Sequence, residues 1–414
     1  MVRSGGRAEW RRTAVTVRNS AASCQMRILE IETFGRGGLT HYTFNLSCAL
    51  AERGHEVTLV TAAAYEFEDR SLPSNLRLVK TLARFTHRHR RAMPQRSLEL
   101  ATSVEAVFDA ISLAAFARRL RPDVIHVHST NSSALLFVAL LRLVGAPVVT
   151  TAHVVTPHER RPFRDALFRR VHRLSRLVVA HSDFDRQRLL EEISLEPERV
   201  VVIPHGEYGF FNPDGGPLAR DSARQSLGLD EDHEVVLFFG YIREYKGLDI
   251  LLEAWPEVVE ARPRARLVVA GDAGRLSQAR RHELSSWAQR IGAIHRFEYI
   301  PFTEVSRYFA AADVLAMPYR HISQSGVLYL ALSLGVPVVA TTVGALPGTL
   351  RDGDSARLIP PDSPTALARA LCEVLGDGEL RARLAQGGRR IAEQHTWPSI
   401  AARTESALAA LVER

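Results

Sequence analysis

The chain has 414 residues, of which 46% are hydrophobic and 24% charged, so it is globular and long enough for two domains. Its formal net charge of +7 is almost all arginine, because Lys80 and Lys246 are the only lysines, and it fits an anionic partner or a solvated surface equally well. The scattered Cys24, Cys48 and Cys372 argue against a disulfide framework, and no apolar run is expected to reach the roughly 18 residues of a membrane span.

Residues 1–25 are basic and irregular and lack the apolar core of a secretion signal. We expect them to lie outside the fold, with Met26 as a candidate start codon, and we expect a cytoplasmic protein. From Met26 onward, short apolar runs alternate with longer helical stretches, which is the pattern of a parallel sheet covered on both faces. The predicted fold class is α/β, with two Rossmann-like domains whose parallel sheets face each other across a cleft.

The first predicted domain, residues 26–211, begins with a strand, a Gly-rich turn and a helix at 40–52. Residues 212–232 are rich in Gly, Pro and Asp and are predicted to be a linker that ends in a short helix. The second domain is predicted at 233–395, followed by a closing segment at 396–414. The predicted strands are 27–31, 56–61, 124–128, 147–151, 177–180 and 200–203 in the first domain, and 235–239, 266–270, 295–299, 314–317, 338–341 and 356–359 in the second.

A basic segment, RFTHRHRRAMPQR, begins at Arg84 and ends at Arg96. It has almost no apolar residues and is predicted to be a loop. It fits a peripheral contact with an anionic membrane, on the inner face if the protein is cytoplasmic, and it fits a solvated mobile loop equally well.

Two features of the first domain are candidate ligand contacts. Gly37 and Gly38 lie in the turn between the first strand and helix, where free amides and the helix dipole attract phosphate, although tight-turn geometry alone also explains them. His153 follows a strand and is predicted to face the cleft in a functional role. We expect His126 and His128 on opposite faces of their sheet, with His126 in core packing, and no metal site.

The second domain carries a stronger signal in FFGYIREYKGLDILLEAW. A strand ends at Gly240, a polar turn brings Arg243 and Lys246 together, and a helix begins near Leu248. Two cations beside a helix start form a pocket for a diphosphate and neutralise the charge that grows on a leaving nucleotide. Gly271 ends the next strand and is suited to close backbone approach.

A third element, PYRHISQSGVLYLALSLGVP, places polar groups before another helix. Hydroxyl, amide and backbone donors here can bind a sugar or phosphate, and a simple helix cap is the alternative. The candidate residues are Ser323, Gln324, Ser325, Gly326 and Val327. The sequence has no nucleophile elbow, Walker loop or metal-ligand cluster.

Taken in order, eight segments resemble the retaining glycosyltransferases of family four, which have the GT-B fold. The resemblance extends from about Met26 to the end, and the order and spacing of the segments carry its specificity. The segments are GRGGLTHYTFNLSCALAERGHEVTLVT, DVIHVHS, VVTTAH, LVVAHSDFDRQRL, VVIPHG, FFGYIREYKGLDILLEAW, VVAGDAG and AAADVLAMPYRHISQSGVLYLALSLGVPVVATTVGALPG.

The resemblance implies that the first domain binds an acceptor, that the second binds a nucleoside-diphosphate sugar, and that the last helix returns to the first domain. It implies that Gly37 and Gly38 approach the donor diphosphate, that His153 contacts the transferred sugar, and that Arg243 and Lys246 hold the diphosphate. It also implies a metal-independent, retaining reaction with no cofactor beyond the UDP- or GDP-sugar, and a glycan, lipid-linked or small-molecule acceptor. No nucleic-acid partner is expected.

The chain departs from the family pattern at the sugar end of the donor site. Ile322 and Leu330 stand where the family has two glutamates, Gly348 replaces a further frequent Glu, and Arg243 lies two residues past the usual arginine. The Gln-Ser-Gly variant resembles a subgroup of the family. Two alternatives therefore stay open: a non-catalytic sugar-nucleotide-binding subunit of a polysaccharide-assembly complex, and an epimerase, which would need carboxylates in the cleft.

Overall fold

The computed structural model describes residues 25–68, 70–89, 93–128, 134–155, 162–212 and 218–413. Within them the chain forms two parallel sheets with helices on both faces, which confirms the predicted α/β class and the two Rossmann-like units. Residues 1–24 of the predicted N-terminal extension lie outside the described residues.

The first sheet has seven strands in the order β3-β2-β1-β4-β5-β6-β7. Hydrophobic side chains alternate between its two faces and form separate buried clusters on each. Its strands are β1 (Arg27–Glu32), β2 (Glu56–Ala62), β3 (Leu76–Leu82), β4 (Val124–His128), β5 (Val148–Thr151), β6 (Leu177–Ala180) and β7 (Val200–Val202). Its helices are α1 (Gly38–Glu52), α2 (Arg84–His89), α3 (Gln95–Leu120), α4 (Ala134–Leu141), α5 (Pro162–Leu174) and α6 (Asp183–Ile193).

The second sheet has six strands in the order β10-β9-β8-β11-β12-β13. Two large buried clusters cover its faces. Its strands are β8 (Glu234–Phe239), β9 (Ala265–Ala270), β10 (Ile294–Arg296), β11 (Val314–Met317), β12 (Val338–Thr341) and β13 (Arg357–Ile359). Its helices are α7 (Arg220–Ser226), α8 (Leu248–Ala261), α9 (Gln278–Arg290), α10 (Phe302–Ala311), α11 (Gly326–Leu334), α12 (Leu346–Thr349), α13 (Pro364–Gly376), α14 (Gly378–Gln394) and α15 (Trp397–Val412).

The last helix, α15, packs against α1 of the first domain. Trp397 and Ile400 are buried in the same cluster as Tyr42 and Leu50 of α1. Glu405 of α15 also pairs with Arg53, just beyond the end of α1. The chain therefore crosses between the domains a second time at its end.

Two sequence expectations need correction. Strand β3 was missed because it is an edge strand, half exposed, whose Arg77 and Lys80 interrupt the apolar pattern. The segment 84–96 is not one loop, because α2 occupies its start and α3 begins at Gln95, while residues 90–92 lie outside the described part.

The short helix expected within 212–232 is present as α7, which packs on α10 with Ala223 fully buried in the core of the second domain.

Candidate active site

A cavity of about 350 Å³ lies between the carboxyl edges of the two sheets. Each sheet reverses its strand order there, at β1 and β4 in the first and at β8 and β11 in the second, and ligands of open α/β sheets bind at such points. Ten of the twelve candidate residues line this cavity. They are Gly37, Gly38, His153, Gly240, Lys246, Gly271, Gln324, Ser325, Gly326 and Val327.

Lys246 is the buried cation of the cavity. It is 6% exposed, and its Nζ lies 5.2 Å from the centre of the Tyr319 ring. The other lysine, Lys80, pairs with Glu68 at 2.6 Å, whereas none of the ion pairs within the described ranges includes Lys246. Burial lowers the pKa of Lys246, and the nearby Arg243 guanidinium lowers it further. A buried ammonium without a carboxylate is costly, so this position favours an anionic ligand.

The backbone around Lys246 is tightly fitted and depends on glycine. Gly240 has φ 94°, and a Cβ on it would meet Val327 Cγ2 at 2.8 Å and Lys246 Nζ at 3.1 Å. Gly271 has φ 154°, and a Cβ there would lie 1.9 Å from the carbonyl oxygen of Gly240. The two strand ends thus pack backbone to backbone, which leaves room beside Lys246 for a ligand.

Arg243 does not line the cavity. Its Nη1 donates to the carbonyl oxygens of Ile242 at 2.7 Å and Asp272 at 3.3 Å, and its guanidinium lies over the Tyr241 ring. Burial lowers its pKa, as does the charge of Arg275. Arg243 therefore braces the turn and adds positive potential behind Lys246.

The amino end of α11 faces the cavity through Gln324, Ser325, Gly326 and Val327. The first amides of a helix have no intrahelical acceptor and carry the positive end of the dipole, so they suit an anion. Ser323 lies outside the cavity lining, and its hydroxyl accepts from Arg188 Nη1 of α6 at 3.4 Å, across the domain boundary.

The glycine turn after β1 is held by two carboxylates. Buried Glu32 accepts from the amide of Gly35 at 2.9 Å. The amide of Gly37 donates to Glu66 at 3.0 Å, so this amide is already occupied. Gly38 is the first residue of α1 and lines the cavity. Of the two candidate glycines, Gly38 is thus the one whose amide lies in the open first turn of a helix.

Glu66 also joins the two domains. It accepts from His41 Nε2 at 2.8 Å on its own domain, and from Tyr299 OH at 2.6 Å and the Phe302 amide at 3.2 Å on the other. Although burial opposes it, the hydrogen bonds from His41, Tyr299 and Gly37 lower the pKa of Glu66 to about 2. This ionised carboxylate links the two domains beside the cavity, because its partners Gly37 and Tyr299 both line it.

A cluster of histidines lies at the carboxyl edge of the first sheet. Four consecutive strands, β4 to β7, each end at or just before one of its members, and three of these line the cavity. We call these four residues the histidine cluster: His128, His153, His181 and His205.

His153 contacts both of its neighbours in the cluster. Its Nδ1 lies 3.1 Å from His181 Nε2 and its Nε2 lies 3.4 Å from His128 Nδ1. Burial and the adjacent imidazoles lower its pKa well below the ordinary value, and burial lowers those of His128 and His205 to about 4. The cluster is neutral at neutral pH.

The expectation that His126 and His128 face opposite sides of the sheet is wrong. Side chains two residues apart in a strand point the same way, and both rings contact Glu30, at 3.2 Å and 2.6 Å. Glu30, His126 and His128 also form the buried group nearest to a metal-ligand arrangement among the described residues. His126 Nε2 is engaged by Thr151 Oγ1 at 2.7 Å, so hydrogen bonds account for these side chains.

Several residues in or beside the cavity were not predicted individually. His181 and His205 follow β6 and β7, and Glu66 lies beyond β2. A signal for the histidines was present, because each of the segments DVIHVHS, VVTTAH, LVVAHS and VVIPHG ends an apolar run with histidine. Parallel strands bring those ends to one edge. For Glu66 there was none, since its partners Tyr299 and Phe302 are more than 200 positions away.

Comparisons with known proteins agree with this architecture. Residues 36–206 match Glycosyltransferase Family 4, and residues 233–377 match the family described as Glycosyl transferases group 1. A D-inositol 3-phosphate glycosyltransferase of Thermomonospora curvata is 31% identical over 385 residues, 87% of this chain and 88% of the relative. That of Corynebacterium aurimucosum is 28% identical over 89% of this chain and 90% of the relative.

Solved structures share the fold at lower identity. Sucrose-phosphate synthase of Thermosynechococcus elongatus superposes with a TM-score of 0.72 at 21% identity, over 92% of this chain and 98% of that one. Anabaena HepE, solved in complex with UDP-glucose, gives 0.72 at 19% identity, over 93% of this chain and 100% of that one. The chain therefore belongs to glycosyltransferase family 4, has the GT-B fold and is a glycosyltransferase.

Proposed function

We propose that this glycosyltransferase transfers a hexose, with retention of configuration, from a UDP- or GDP-sugar to a hydroxyl group of a glycan, a lipid-linked sugar or a small molecule. The observation that carries the proposal is Lys246, a buried ammonium without a carboxylate partner among the described residues, facing a cavity between two nucleotide-binding-type sheets. The chemistry that fits such a group is a diphosphate. A polysaccharide or other glycan is the proposed product class.

The diphosphate lies between Lys246 and the amino end of α11 in this proposal. Lys246 and the first residues of α11, Gly326 and Val327, line the same cavity, and Lys246 Nζ and the Val327 side chain both lie next to Gly240. Charge grows on the nucleotide diphosphate as the glycosidic bond breaks, so groups fixed beforehand stabilise the transition state more than the ground state. Arg243 adds to the potential from behind the turn. These groups supply the stabilisation that a metal ion supplies in other transferases.

The sugar is proposed to lie toward the histidine cluster, with His153 in contact with it. The lowered pKa of His153 keeps its imidazole neutral, so it presents no charge to the sugar. Its Nδ1 is engaged by His181 at 3.1 Å, so its Nε2, whose contact with His128 is the longer one at 3.4 Å, is the atom proposed to hydrogen-bond to a sugar hydroxyl. In a retaining reaction by front-face attack, the acceptor oxygen forms the new bond to the anomeric carbon while the bond to the diphosphate breaks. The departing phosphate oxygen then takes the acceptor's proton, so no enzyme base is needed.

The part of the cavity that corresponds to the family's two glutamates is apolar. Ile322 and Leu330 are 6% and 4% exposed and line the cavity in place of the family's two glutamates. This favours a second candidate function, a sugar-nucleotide-binding subunit without turnover. The same substitution also fits a donor whose sugar hydroxyls are recognised by other groups, such as Gln324.

Binding and turnover separate the two functions. Calorimetric titration with UDP, GDP and their hexose conjugates should give binding for one nucleotide series. Release of that nucleotide should then require an added acceptor. Tight binding without release on any acceptor would support the binding subunit, and conversion of the donor without acceptor would support an epimerase.

We also propose a cytoplasmic protein that works at the inner face of the membrane, where lipid-linked acceptors are found. The support is the net charge of +7 and the basic segment that starts with α2.

A further inference from the structure

Helix α3 carries a row of hydrophobic side chains that the fold leaves in solvent. Three of them, Leu100, Phe108 and Ile111, are 68%, 65% and 55% exposed. We call the row the α3 stripe: Leu100, Val104, Val107, Phe108 and Ile111. Its spacing of 4, 3, 1 and 3 residues keeps it on one side of the helix over a length of about 16 Å.

The opposite side of α3 is already satisfied by the first domain. Ala110, Leu113 and Ala117 are buried in the cluster beneath the sheet. The helix thus has two apolar sides, whereas a surface helix of a globular domain needs only one. A contiguous exposed apolar row of this kind marks an interaction surface.

By length and hydropathy, Ser97–Leu120 is the one helix among the described residues that could cross a membrane, so the expectation of no such apolar run is wrong. Its buried side argues for a different arrangement. Crossing a bilayer would strip Leu113 and its neighbours from the domain core, whereas lying flat on a surface would cover only the α3 stripe. The packing therefore favours a helix that lies in an interface.

The charges around the stripe indicate what that interface is. The stripe itself carries no charge, and two acidic residues of α3 outside it hold α2 in place. Glu105 accepts from the Thr86 amide at 2.9 Å, and Asp109 accepts from the Ala83 amide at 2.8 Å. This fixes α2, which presents exposed Arg84, Phe85 and Arg88, beside α3.

We propose that α2 and the α3 stripe seat this protein on an anionic lipid bilayer. The apolar side chains enter the headgroup boundary, and the arginines of α2 pair with anionic headgroups. This inference deepens the membrane location proposed above and gives it a surface. It also implies an orientation, because α2 follows the carboxyl end of β3 and therefore lies at the same edge of the first sheet as the cavity.

Vesicle co-sedimentation of the full chain tests the proposal. The chain should sediment with vesicles of phosphatidylglycerol and phosphatidylcholine, and much less with phosphatidylcholine alone. High salt should weaken binding because it screens the arginines. The double variant Leu100→Gln/Phe108→Gln should lower vesicle binding roughly tenfold or more, and Arg84→Gln/Arg88→Gln should remove the preference for anionic lipid.

Two controls keep the test specific. Val259→Gln/Val412→Gln changes two hydrophobic residues on α8 and α15 that are 36% and 42% exposed, and it should leave binding unchanged. All variants should keep the melting temperature and the affinity for the nucleotide diphosphate, so failure of the membrane proposal is distinct from failure of the proposed function. Three outcomes would overturn the proposal: the parent chain does not bind vesicles, the control variant loses vesicle binding, or the stripe variant changes only the oligomeric state from dimer to monomer.

Discussion

Replacement of Lys246 by methionine tests the donor site through two opposite effects. Methionine keeps most of the side-chain volume and removes the charge. Because Lys246 is 6% exposed and has no carboxylate partner in the described chain, its charge costs the empty protein free energy of folding. The variant without ligand should therefore be at least as stable as the parent. Its affinity for UDP or GDP should fall by about 1.5 to 3 kcal/mol, the worth of a charged hydrogen bond, or roughly 10- to 150-fold.

Calorimetry measures the affinity and thermal unfolding measures the stability. The control is Lys80→Met, since Lys80 is half exposed and paired with Glu68 outside the cavity. The chain has only these two lysines, so reductive methylation with ¹³C also gives a resolvable NMR signal for each. The pKa of Lys246 should start below the ordinary value of a lysine and rise when the nucleotide diphosphate binds. Unchanged affinity in Lys246→Met would refute the assignment of this residue.

Three further outcomes are expected. The histidine cluster has lowered pKa values in the folded state, to about 4 for His128, so unfolded chains bind more protons than folded chains below about pH 6.5. The free energy of unfolding should therefore decrease as the pH is lowered. Each such histidine should cost about 1 kcal/mol between pH 6.5 and 5.5, and an unchanged urea midpoint over that range would contradict a neutral cluster. Glu66→Gln should loosen the contact between the two domains and raise the donor KM while each domain stays folded. An unaltered radius of gyration by X-ray scattering together with an unaltered KM would argue against a role of Glu66 in joining the domains. Gly271→Ala should lower both the melting temperature and nucleotide affinity, because its Cβ would lie 1.9 Å from a backbone oxygen of Gly240; wild-type values for both would count against the tight backbone packing.

The sequence was sufficient for the fold because the physical signals are local. Buried parallel strands are continuous apolar runs, and twelve of the thirteen strands in the described residues overlap with a prediction, whereas β3 does not. An edge strand buries half its surface, so Arg77 and Lys80 cost little there and obscure the pattern. The segment 84–96 misled in a similar way, because α2 draws its stability from Glu105, a residue outside the segment.

The candidate site was predictable where a glycine or a cation stands at a strand end. Gly240, Lys246 and Gly271 line the cavity because parallel strands deliver their carboxyl ends to one edge. The two that fall outside it, Arg243 and Ser323, were predicted from their charge or polarity and from their place before a helix. Their directions depend on partners elsewhere, the carbonyl of Asp272 and the guanidinium of Arg188, that sequence spacing does not reveal.

Other features needed three dimensions. Glu66 binds the Gly37 amide and the Tyr299 hydroxyl, and these partners lie far from it in the chain. The exposure of the α3 stripe could likewise not be predicted, because a helix that is apolar on two sides is expected from its sequence to be buried.

A crystal structure of the chain with its nucleotide-sugar donor would test the central claim most directly. We expect the diphosphate within hydrogen-bond distance of Lys246 Nζ and of the first amides of α11, with the sugar toward His153. A diphosphate bound away from Lys246, or one that contacts only the first domain at the glycine turn after β1, would contradict this account.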